Sequence, residues 1–240
     1  MKSAITATLA LVHAITCCAA AEEKQSAQRF TGEVKLPASY PYLLALPKGY
    51  AAETAKAWPL LVFLHGAGER GDHLDQLKQH GQPMLIESGR EFPAIVVSPQ
   101  CPNGQIWDHH AIKALVEDLK SKHRVDATRV YLTGLSMGGF ATWETGIEYP
   151  ETFAALVPIC GGAGVRFLLA DRIKDTPIWI FHGGKDSVVS PDYSKRMHDV
   201  LKRIGGKVQL TLYPEAGHDS WTAAYNDEEL WAWLFAQKRG

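Results

Sequence analysis

A serine lies between two glycines in the segment Gly134–Gly138, and this segment joins an apolar run to a helix-like one. The apolar run covers residues 129–133, and the helix-like segment extends from Met137 to Tyr149. A sharp strand-to-helix turn of this kind exposes a serine hydroxyl at a helix N-terminus, where free N–H groups supply partial positive charge. The glycines are needed because a Cβ at either flank would clash with the neighbouring backbone. Ser136 is therefore predicted to be a nucleophile, if the chain also supplies a base and an acid.

An acid and a base follow Ser136 along the chain, each in a loop after a predicted strand. Asp186 comes after the apolar run 178–181, and His218 comes after the last run, 208–213. The loops at the carboxyl ends of parallel strands meet at one edge of a sheet, and the order serine, acid, histidine is typical of one hydrolase architecture. We therefore expect His218 to take the proton of Ser136, and Asp186 to orient His218.

A fourth element would stabilise negative charge on a substrate oxygen. The apolar run 60–64 leads directly into a turn that contains two glycines and can point a backbone N–H at a developing oxyanion. The expected first donor is the N–H of Ala67, and either neighbouring glycine, Gly66 or Gly68, is an alternative. The N–H of Met137, directly after the serine, is the expected second donor.

Aromatic and charged residues surround these loops. Trp107 follows the strand predicted at 94–98, and Trp221 lies just after the candidate base. Either ring could line an acyl or aryl pocket, or pack against the loops instead. His65 is expected to fix the glycine-rich turn rather than act as a base, and the segment 69–72 is expected to hold that turn through ion pairs.

Composition and spacing exclude several classes of function. The net charge is −1 and no basic block occurs, which argues against a nucleic-acid partner. Histidine spacing such as H-E-x-x-H is absent, so no catalytic metal is expected. Neither G-x-G-x-x-G nor a phosphate loop is found, so no nucleotide cofactor is expected.

The first 21 residues resemble a secretory signal peptide. Lys2 supplies a positive charge, residues 4–15 are apolar, and Ala19–Ala21 offer a cleavage site. Export to a periplasm, an outer surface or the medium is therefore expected. A short disordered tail and lipid attachment at Cys17 or Cys18 are the alternatives.

The rest of the chain predicts an α/β fold in one domain of 240 residues that are 46% hydrophobic. Strands are expected at 42–46, 60–64, 94–98, 130–133, 155–159, 178–181 and 208–213. Most of these runs are continuous, as in parallel strands covered on both faces, and helical patterns separate them. The first strand has no helix after it and should pair antiparallel at the sheet edge. Residues 22–39 are expected to be a flexible terminus that could add an edge strand, and residues 40–240 to be the catalytic domain.

Helix boundaries and cysteines complete these expectations. Asp108 should cap one helix, and Ser190–Pro191 should open another that stops at Gly205. Cys101 and Cys160 each follow a predicted strand. Two other strands should separate them by about 14 Å, at ~4.8 Å per strand, so we expect free, partly buried thiols.

These motifs together make the chain resemble an α/β-hydrolase from about residue 40 to residue 238. It is similar to the compact secreted esterases known as predicted peptidases, phospholipase/carboxylesterases or dienelactone-hydrolase-like proteins. The segments that carry the resemblance are Leu46–Tyr50, Trp58–Asp72, Ser98–Pro102, Gly134–Gly139, His182–Asp186 and Gly217–Trp221. The resemblance implies a mostly parallel sheet flanked by helices on both faces. It also implies hydrolysis of carboxylic esters, since such relatives include feruloyl esterases, acetyl-xylan esterases and polyester depolymerases.

Hydrolases of this architecture commonly insert a lid between the strands predicted to end at Ile159 and to begin at Ile178. Here residues 160–175 leave room for one helix at most, so no large lid domain is expected. An open site favours bulky or surface-attached substrates.

The leading hypothesis is a secreted serine carboxylesterase that acts on a small-molecule or polysaccharide-linked ester, such as a feruloyl or acetyl ester of plant polysaccharide. Hydrolysis of polyesters or short-chain esters, acyl transfer to another acceptor, and a lyase reaction are alternatives with the same triad. A non-catalytic binding protein is the remaining alternative. The sequence makes no prediction about the oligomeric state.

Overall fold

The computed structural model describes residues 29–33 and 37–240. By its contacts the chain divides into two units, Met1–Pro37 and Ala38–Gly240. The described residues of the first unit belong to no helix or strand. The predicted signal peptide and the two cysteines within it lie outside the described residues.

One sheet of seven strands organises the second unit. The strands are β1 (Tyr42–Ala45), β2 (Trp58–Leu64), β3 (Ile95–Pro99), β4 (Val125–Leu135), β5 (Ala155–Ile159), β6 (Ile178–Gly183) and β7 (Val208–Tyr213). Their order is β1-β3-β2-β4-β5-β6-β7. Every neighbouring pair is parallel except β1 and β3, which are antiparallel. The predicted α/β fold and its antiparallel edge strand are confirmed.

Six α-helices lie between and after the strands in the described residues. They are α1 (Gly81–Glu87), α2 (His109–Lys122), α3 (Met137–Glu148), α4 (Asp192–Arg203), α5 (Trp221–Tyr225) and α6 (Glu228–Ala236). Shorter 3₁₀ segments cover Ala67–Glu69, Leu74–Gln79 and Gly164–Ile173. None of the helices in the described residues is both long enough and apolar enough to cross a membrane.

The continuous apolar runs supply both faces of the sheet, because successive strand residues point in opposite directions. Leu60, Val62 and Leu64 of β2 belong to one hydrophobic cluster, which also holds buried side chains of α2, α3 and α4. Leu61 and Phe63 belong to a second cluster, with buried side chains of α1, α5 and α6. The helices therefore form a layer on each face, as the sequence predicts.

The predicted helix boundaries are confirmed at two places. The carboxylate of Asp108 accepts hydrogen bonds from the backbone N–H groups of His110 and Ala111 at 2.8 and 2.9 Å, so it caps α2. Helix α4 begins directly after Pro191, and Gly205 follows its end with a positive φ of 75°. Glycine adopts that left-handed conformation without the steric cost that a Cβ brings.

Both remaining cysteines are free thiols, as predicted, but they are fully rather than partly buried. Cys101 follows β3 and Cys160 follows β5, and strands β2 and β4 lie between them. The short connection after Cys160 contains only the 3₁₀ segment Gly164–Ile173 before β6 begins. No large lid therefore fits between β5 and β6.

The turn between β4 and α3 is packed against other backbone on both sides. A Cβ added to Gly134 would overlap the carbonyl group of Gly138, and a Cβ added to Gly138 would overlap the carbonyl oxygen of Leu64 at the end of β2. Backbone at the centre of a sheet cannot move aside as a flexible side chain can. These two glycines are therefore required by close packing.

The substitution Gly138→Ala should lower the free energy of unfolding by about 3 kcal/mol or more, because the added methyl group displaces backbone at the end of β2. Urea unfolding monitored by circular dichroism measures this loss. Gly68→Ala is the matched control, since a Cβ there meets nothing within 4 Å. Equal stability of the two variants would contradict the packing argument.

Candidate active site

Ser136 occupies the turn between β4 and α3 in a strained conformation. Its φ is 50° and its ψ is −116°, a region that residues with a Cβ rarely adopt. The backbone holds it there, because its N–H donates to the carbonyl oxygen of Ile159 at 3.0 Å and its carbonyl accepts from the N–H of Phe140 at 3.0 Å. The side chain is half-buried, so the hydroxyl is held in one place yet is open to a substrate.

The structure brings the predicted nucleophile, base and acid into one hydrogen-bonded chain. Nδ1 of His218 lies 2.7 Å from Oδ2 of Asp186, and Nε2 lies 3.0 Å from Oγ of Ser136. A carboxylate only accepts hydrogen bonds, so Nδ1 carries the proton and donates it to Asp186. Nε2 is then the free base, and it accepts the hydrogen bond of the Ser136 hydroxyl.

Asp186 is buried and receives donors from two directions. Its Oδ1 accepts hydrogen bonds from the backbone N–H groups of Val188 and Val189, both at 2.9 Å. Burial would raise the pKa of Asp186, but the hydrogen bonds from His218 and from these two N–H groups outweigh it, so the pKa lies below its ordinary value. Asp186 is therefore ionised near neutral pH and favours the proton on Nδ1 of His218.

His65 braces the glycine-rich turn, as the sequence predicts. Its Nε2 accepts the N–H of Cys101 at 2.9 Å, so Nδ1 carries the proton and donates to the carbonyl oxygen of Gly66 at 2.6 Å. Burial lowers the pKa of His65 to about 4, so the ring is neutral near pH 7. Trp107 adds a third tie, because its indole N–H donates to the carbonyl oxygen of His65 at 3.1 Å.

Arg70 holds the same turn by hydrogen bonds to carbonyl groups rather than by the expected ion pairs. Its Nε donates to the carbonyl oxygen of Ala67 at 2.9 Å, and one terminal nitrogen donates to that of Gln105 at 3.2 Å. Glu69 is buried on the other side of the turn, with its carboxylate 3.8 Å from His65 and 3.6 Å from His80. The turn is thus fixed from both sides.

The two expected oxyanion donors are each the first residue of a helical segment. Ala67 opens the 3₁₀ segment after β2, and Met137 opens α3. Within the described residues neither N–H has a hydrogen-bond acceptor, as is usual for the first residue of a helix. The turn lies beside the nucleophile, since a Cβ added to Gly66 would stand 3.6 Å from Cβ of Ser136.

A pocket of about 360 Å³ opens next to Ser136 along α3. It is lined by Ile106, Trp107, Ser136, Met137, Phe140, Ala141 and Glu144. Trp107 thus lines the pocket, as the sequence suggests. Trp221 does not line it, because its ring packs edge-on against His218, with centroids 5.3 Å apart, and against His80, at 5.5 Å.

The family model of the dienelactone hydrolase family matches residues 100–229, more than half of the 240-residue chain. The chain belongs to the dienelactone hydrolase family. The matched segment contains the serine, the aspartate and the histidine of the hydrogen-bonded chain.

Known proteins similar to this family member include esterases. The chain is 30% identical over 139 residues to a bifunctional acetylxylan esterase/xylanase from Neocallimastix patriciarum. The aligned segment covers 55% of this chain but only 20% of that protein. A crystal structure of a thermostable esterase superposes with a TM-score of 0.73 at 34% identity, over 83% of this chain and 60% of the other. A ferulic acid esterase from Anaeromyces mucronatus, solved with ferulic acid, gives a TM-score of 0.61 at 17% identity, over 82% and 84%. That last likeness concerns the fold alone.

Sequence reasoning missed a second histidine beside the acid of this dienelactone hydrolase family member. His182 is fully buried, with its Nε2 3.2 Å from Oδ2 of Asp186. The same nitrogen donates a hydrogen bond to the carbonyl oxygen of Val189 at 2.9 Å. Its Nδ1 lies 2.7 Å from the hydroxyl of Ser194 on α4. Burial lowers the pKa of His182, so it ties the acid loop to α4 as a neutral ring. Its position at the end of β6, four residues before Asp186, is the signal that could have identified it.

Cys160 is the other unforeseen neighbour of the site. Its Sγ accepts a hydrogen bond from the N–H of Ser136 at 3.3 Å. This sulfur, a carboxylate oxygen of Asp186 and a ring nitrogen of His218 all lie within 4.8 Å of one another. Burial raises the pKa of Cys160 to about 12, so the thiol keeps its proton, and a protonated thiol is a poor metal ligand. Nδ1 of His218 is also already bonded to Asp186. These residues therefore suit a hydrogen-bonded site better than a metal centre.

The substitution His65→Leu should lower the free energy of unfolding by about 1–3 kcal/mol, because it leaves the buried N–H of Cys101 without an acceptor. The pKa of about 4 in the folded protein is below the ordinary 6.5, so between these pH values the unfolded state binds more protons. Stability from His65 is therefore lost as the pH falls through this window, and the variant should lose less on acidification. Urea unfolding at pH 7, 6, 5 and 4 measures both effects, with the exposed His73→Leu as control. An unchanged pH slope would contradict the role of His65.

Proposed function

We propose that this protein is a serine carboxylic-ester hydrolase that works through an acyl-enzyme. The observation that carries the proposal is the chain of hydrogen bonds from Ser136 through His218 to Asp186. A serine hydroxyl is a weak nucleophile by itself, and this arrangement supplies the base and the orienting carboxylate that it needs.

The first half of the reaction forms the acyl-enzyme. Oγ of Ser136 attacks the ester carbonyl carbon while its proton passes to Nε2 of His218, and the ionised Asp186 stabilises the resulting imidazolium. The carbonyl oxygen gains negative charge, and the N–H groups of Ala67 and Met137 donate to it. The tetrahedral adduct collapses, the C–O bond to the alcohol breaks, and the alcohol leaves with the proton from His218.

The second half of the reaction repeats these roles with water. Nε2 of His218 takes a proton from a water molecule, and the resulting hydroxide oxygen attacks the acyl carbon. The same two N–H groups stabilise the second oxyanion. Collapse breaks the bond to Oγ of Ser136, which recovers its proton from His218, and the carboxylic acid leaves. The enzyme returns to its starting protonation state without a cofactor.

The proposed substrates are feruloyl or acetyl esters attached to plant polysaccharide. The short connection between β5 and β6 supports this, because it leaves no room for a large lid that would exclude a polymer. An acetylxylan esterase among the relatives also supports it. We further propose export by the N-terminal segment, since such polysaccharides lie outside the cell.

The substitution Ser136→Ala should abolish turnover of 4-nitrophenyl acetate, with a loss of at least about 1,000-fold, because no other nucleophile replaces the hydroxyl. Initial rates with purified protein measure the loss. Ser121→Ala, an exposed residue at the end of α2, is the control and should keep full activity. Substantial turnover by Ser136→Ala would overturn the assignment.

The substitution Asp186→Asn should lower kcat by about 10⁴ with little change in KM, because an amide facing Nδ1 favours the wrong tautomer of His218. Steady-state kinetics on the same ester measures the change. Asp219→Asn, one residue from the base and exposed, is the control. A large rise in KM at unchanged kcat would contradict an orienting role.

A substrate panel separates the proposed substrates from the alternatives. Methyl ferulate and acetylated xylan should be hydrolysed at least as efficiently as tributyrin or a soluble polyester. Hydrolysis of only the latter two would replace the polysaccharide proposal with the short-chain or polyester alternative. Added methanol would capture the acyl group as a methyl ester if the enzyme were mainly a transferase.

A further inference from the structure

The pocket beside Ser136 follows one face of α3. Ser136, Phe140 and Glu144 are spaced four residues apart, and residues with this spacing lie above one another on a helix. At 1.5 Å per residue, the backbone of Glu144 lies about 12 Å along the helix from that of Ser136. The pocket therefore has the length for an extended acyl group that reaches from the nucleophile to Glu144.

The walls between these two ends are apolar. Trp107, Met137, Phe140 and Ala141 supply them, and Ile106, which is 73% exposed, forms the outer rim. Ser136 and Glu144 are the lining residues with polar side chains, apart from Trp107, whose indole N–H already donates to the carbonyl oxygen of His65. An acyl group with an apolar body would match the middle of the pocket.

In the described part of the chain, the side chain of Glu144 takes part in no hydrogen bond or ion pair. The nearby guanidinium of Arg166 is taken by Glu148, at 3.0 Å, and Arg172 lies 3.7 Å from the same carboxylate of Glu148. His109 is close enough to interact with Glu144 electrostatically, but burial lowers the pKa of His109. The ring is therefore neutral near pH 7 and does not neutralise the carboxylate. Half-buried Glu144 thus retains its capacity to accept hydrogen bonds.

We propose that Glu144 determines specificity by accepting a hydrogen bond from a hydroxyl group at the far end of the substrate's acyl group. The enzyme then prefers acyl groups that have an apolar body and a distal hydroxyl, and it rejects acyl groups that end in a carboxylate. The inference rests on the proposed esterase function, and it names the chemistry of the acyl group that the site selects.

Three methyl esters that differ at one position test the proposal. They are methyl 4-hydroxycinnamate, methyl cinnamate and methyl 4-carboxycinnamate. The wild-type protein should show a kcat/KM about tenfold higher for the hydroxyl ester than for the unsubstituted ester, because hydrogen bonds to charged groups are the stronger ones. The carboxylate ester should be the poorest substrate, since two like charges meet in a partly desolvated pocket.

Two variants separate the acceptor from the charge. Glu144→Leu removes the acceptor, so the ratio of kcat/KM for the hydroxyl ester to kcat/KM for methyl cinnamate should fall from about ten to about one. Glu144→Gln keeps an acceptor without the charge, so it should retain part of that preference and hydrolyse the carboxylate ester faster. Glu151→Leu is the control, because Glu151 is exposed and does not line the pocket.

The outcomes distinguish the inference from the function beneath it. An unchanged hydroxyl preference in Glu144→Leu would overturn the inference, as would an equal loss on both esters, which a structural defect would give. If the wild-type protein hydrolysed neither these esters nor 4-nitrophenyl acetate, the proposed function would fail. Calorimetric titration of 4-hydroxycinnamate and cinnamate into wild type and Glu144→Leu would then test the role of Glu144 without catalysis. Selective loss of 4-hydroxycinnamate binding in the variant would support the inference, and unchanged binding of both ligands would refute it.

Discussion

The backbone contact between Gly138 and the end of β2 is the constraint on which the site depends. It presses the first turn of α3 against the carbonyl oxygens of Leu64 and His65, where the glycine-rich turn begins. One close approach thereby fixes Ser136, the N–H of Met137 and the glycine-rich turn relative to one another. Catalytic groups need placement to within fractions of an ångström, and contact between backbones at the centre of a sheet is among the stiffest ways to achieve it. The strained φ of Ser136 persists because this packing excludes other backbone conformations of the turn.

Two buried histidines perform comparable work on loops that follow different strands. His65 after β2 and His182 at the end of β6 are both held neutral by burial, and each joins backbone or side-chain groups of separate segments. A neutral imidazole offers one donor and one acceptor on a rigid ring, so it can link two segments without a buried charge. The glycine-rich turn and the loop that carries Asp186 are thus braced in the same way, whereas His218, with the same side chain, is only half-buried.

Sequence patterns predicted the seven strands, the capped start of α2 and the three members of the hydrogen-bonded chain, because these features follow from local periodicity and from loop position. Other features depend on what the folded chain brings together. Helix α1 has only seven residues and α5 only five, too few for a helical period to emerge. Strand β4 begins at Val125 rather than near Val130, because Val125 pairs with Trp58 across an irregularity in the ladder. The contact of Trp221 with His218 and the place of Glu144 in the pocket arise from tertiary packing, which no spacing in the chain encodes.

The thiol of Cys160 accepts a hydrogen bond from the N–H of Ser136 and is closed off from solvent. A sulfhydryl in that position reacts with an alkylating reagent only in the moments when β5 and the serine turn separate. Its labelling rate therefore measures how often β5 and the serine turn separate transiently. A ligand bound at Ser136 would lower this labelling rate without contacting the sulfur. The rate therefore reports how firmly the site is held closed.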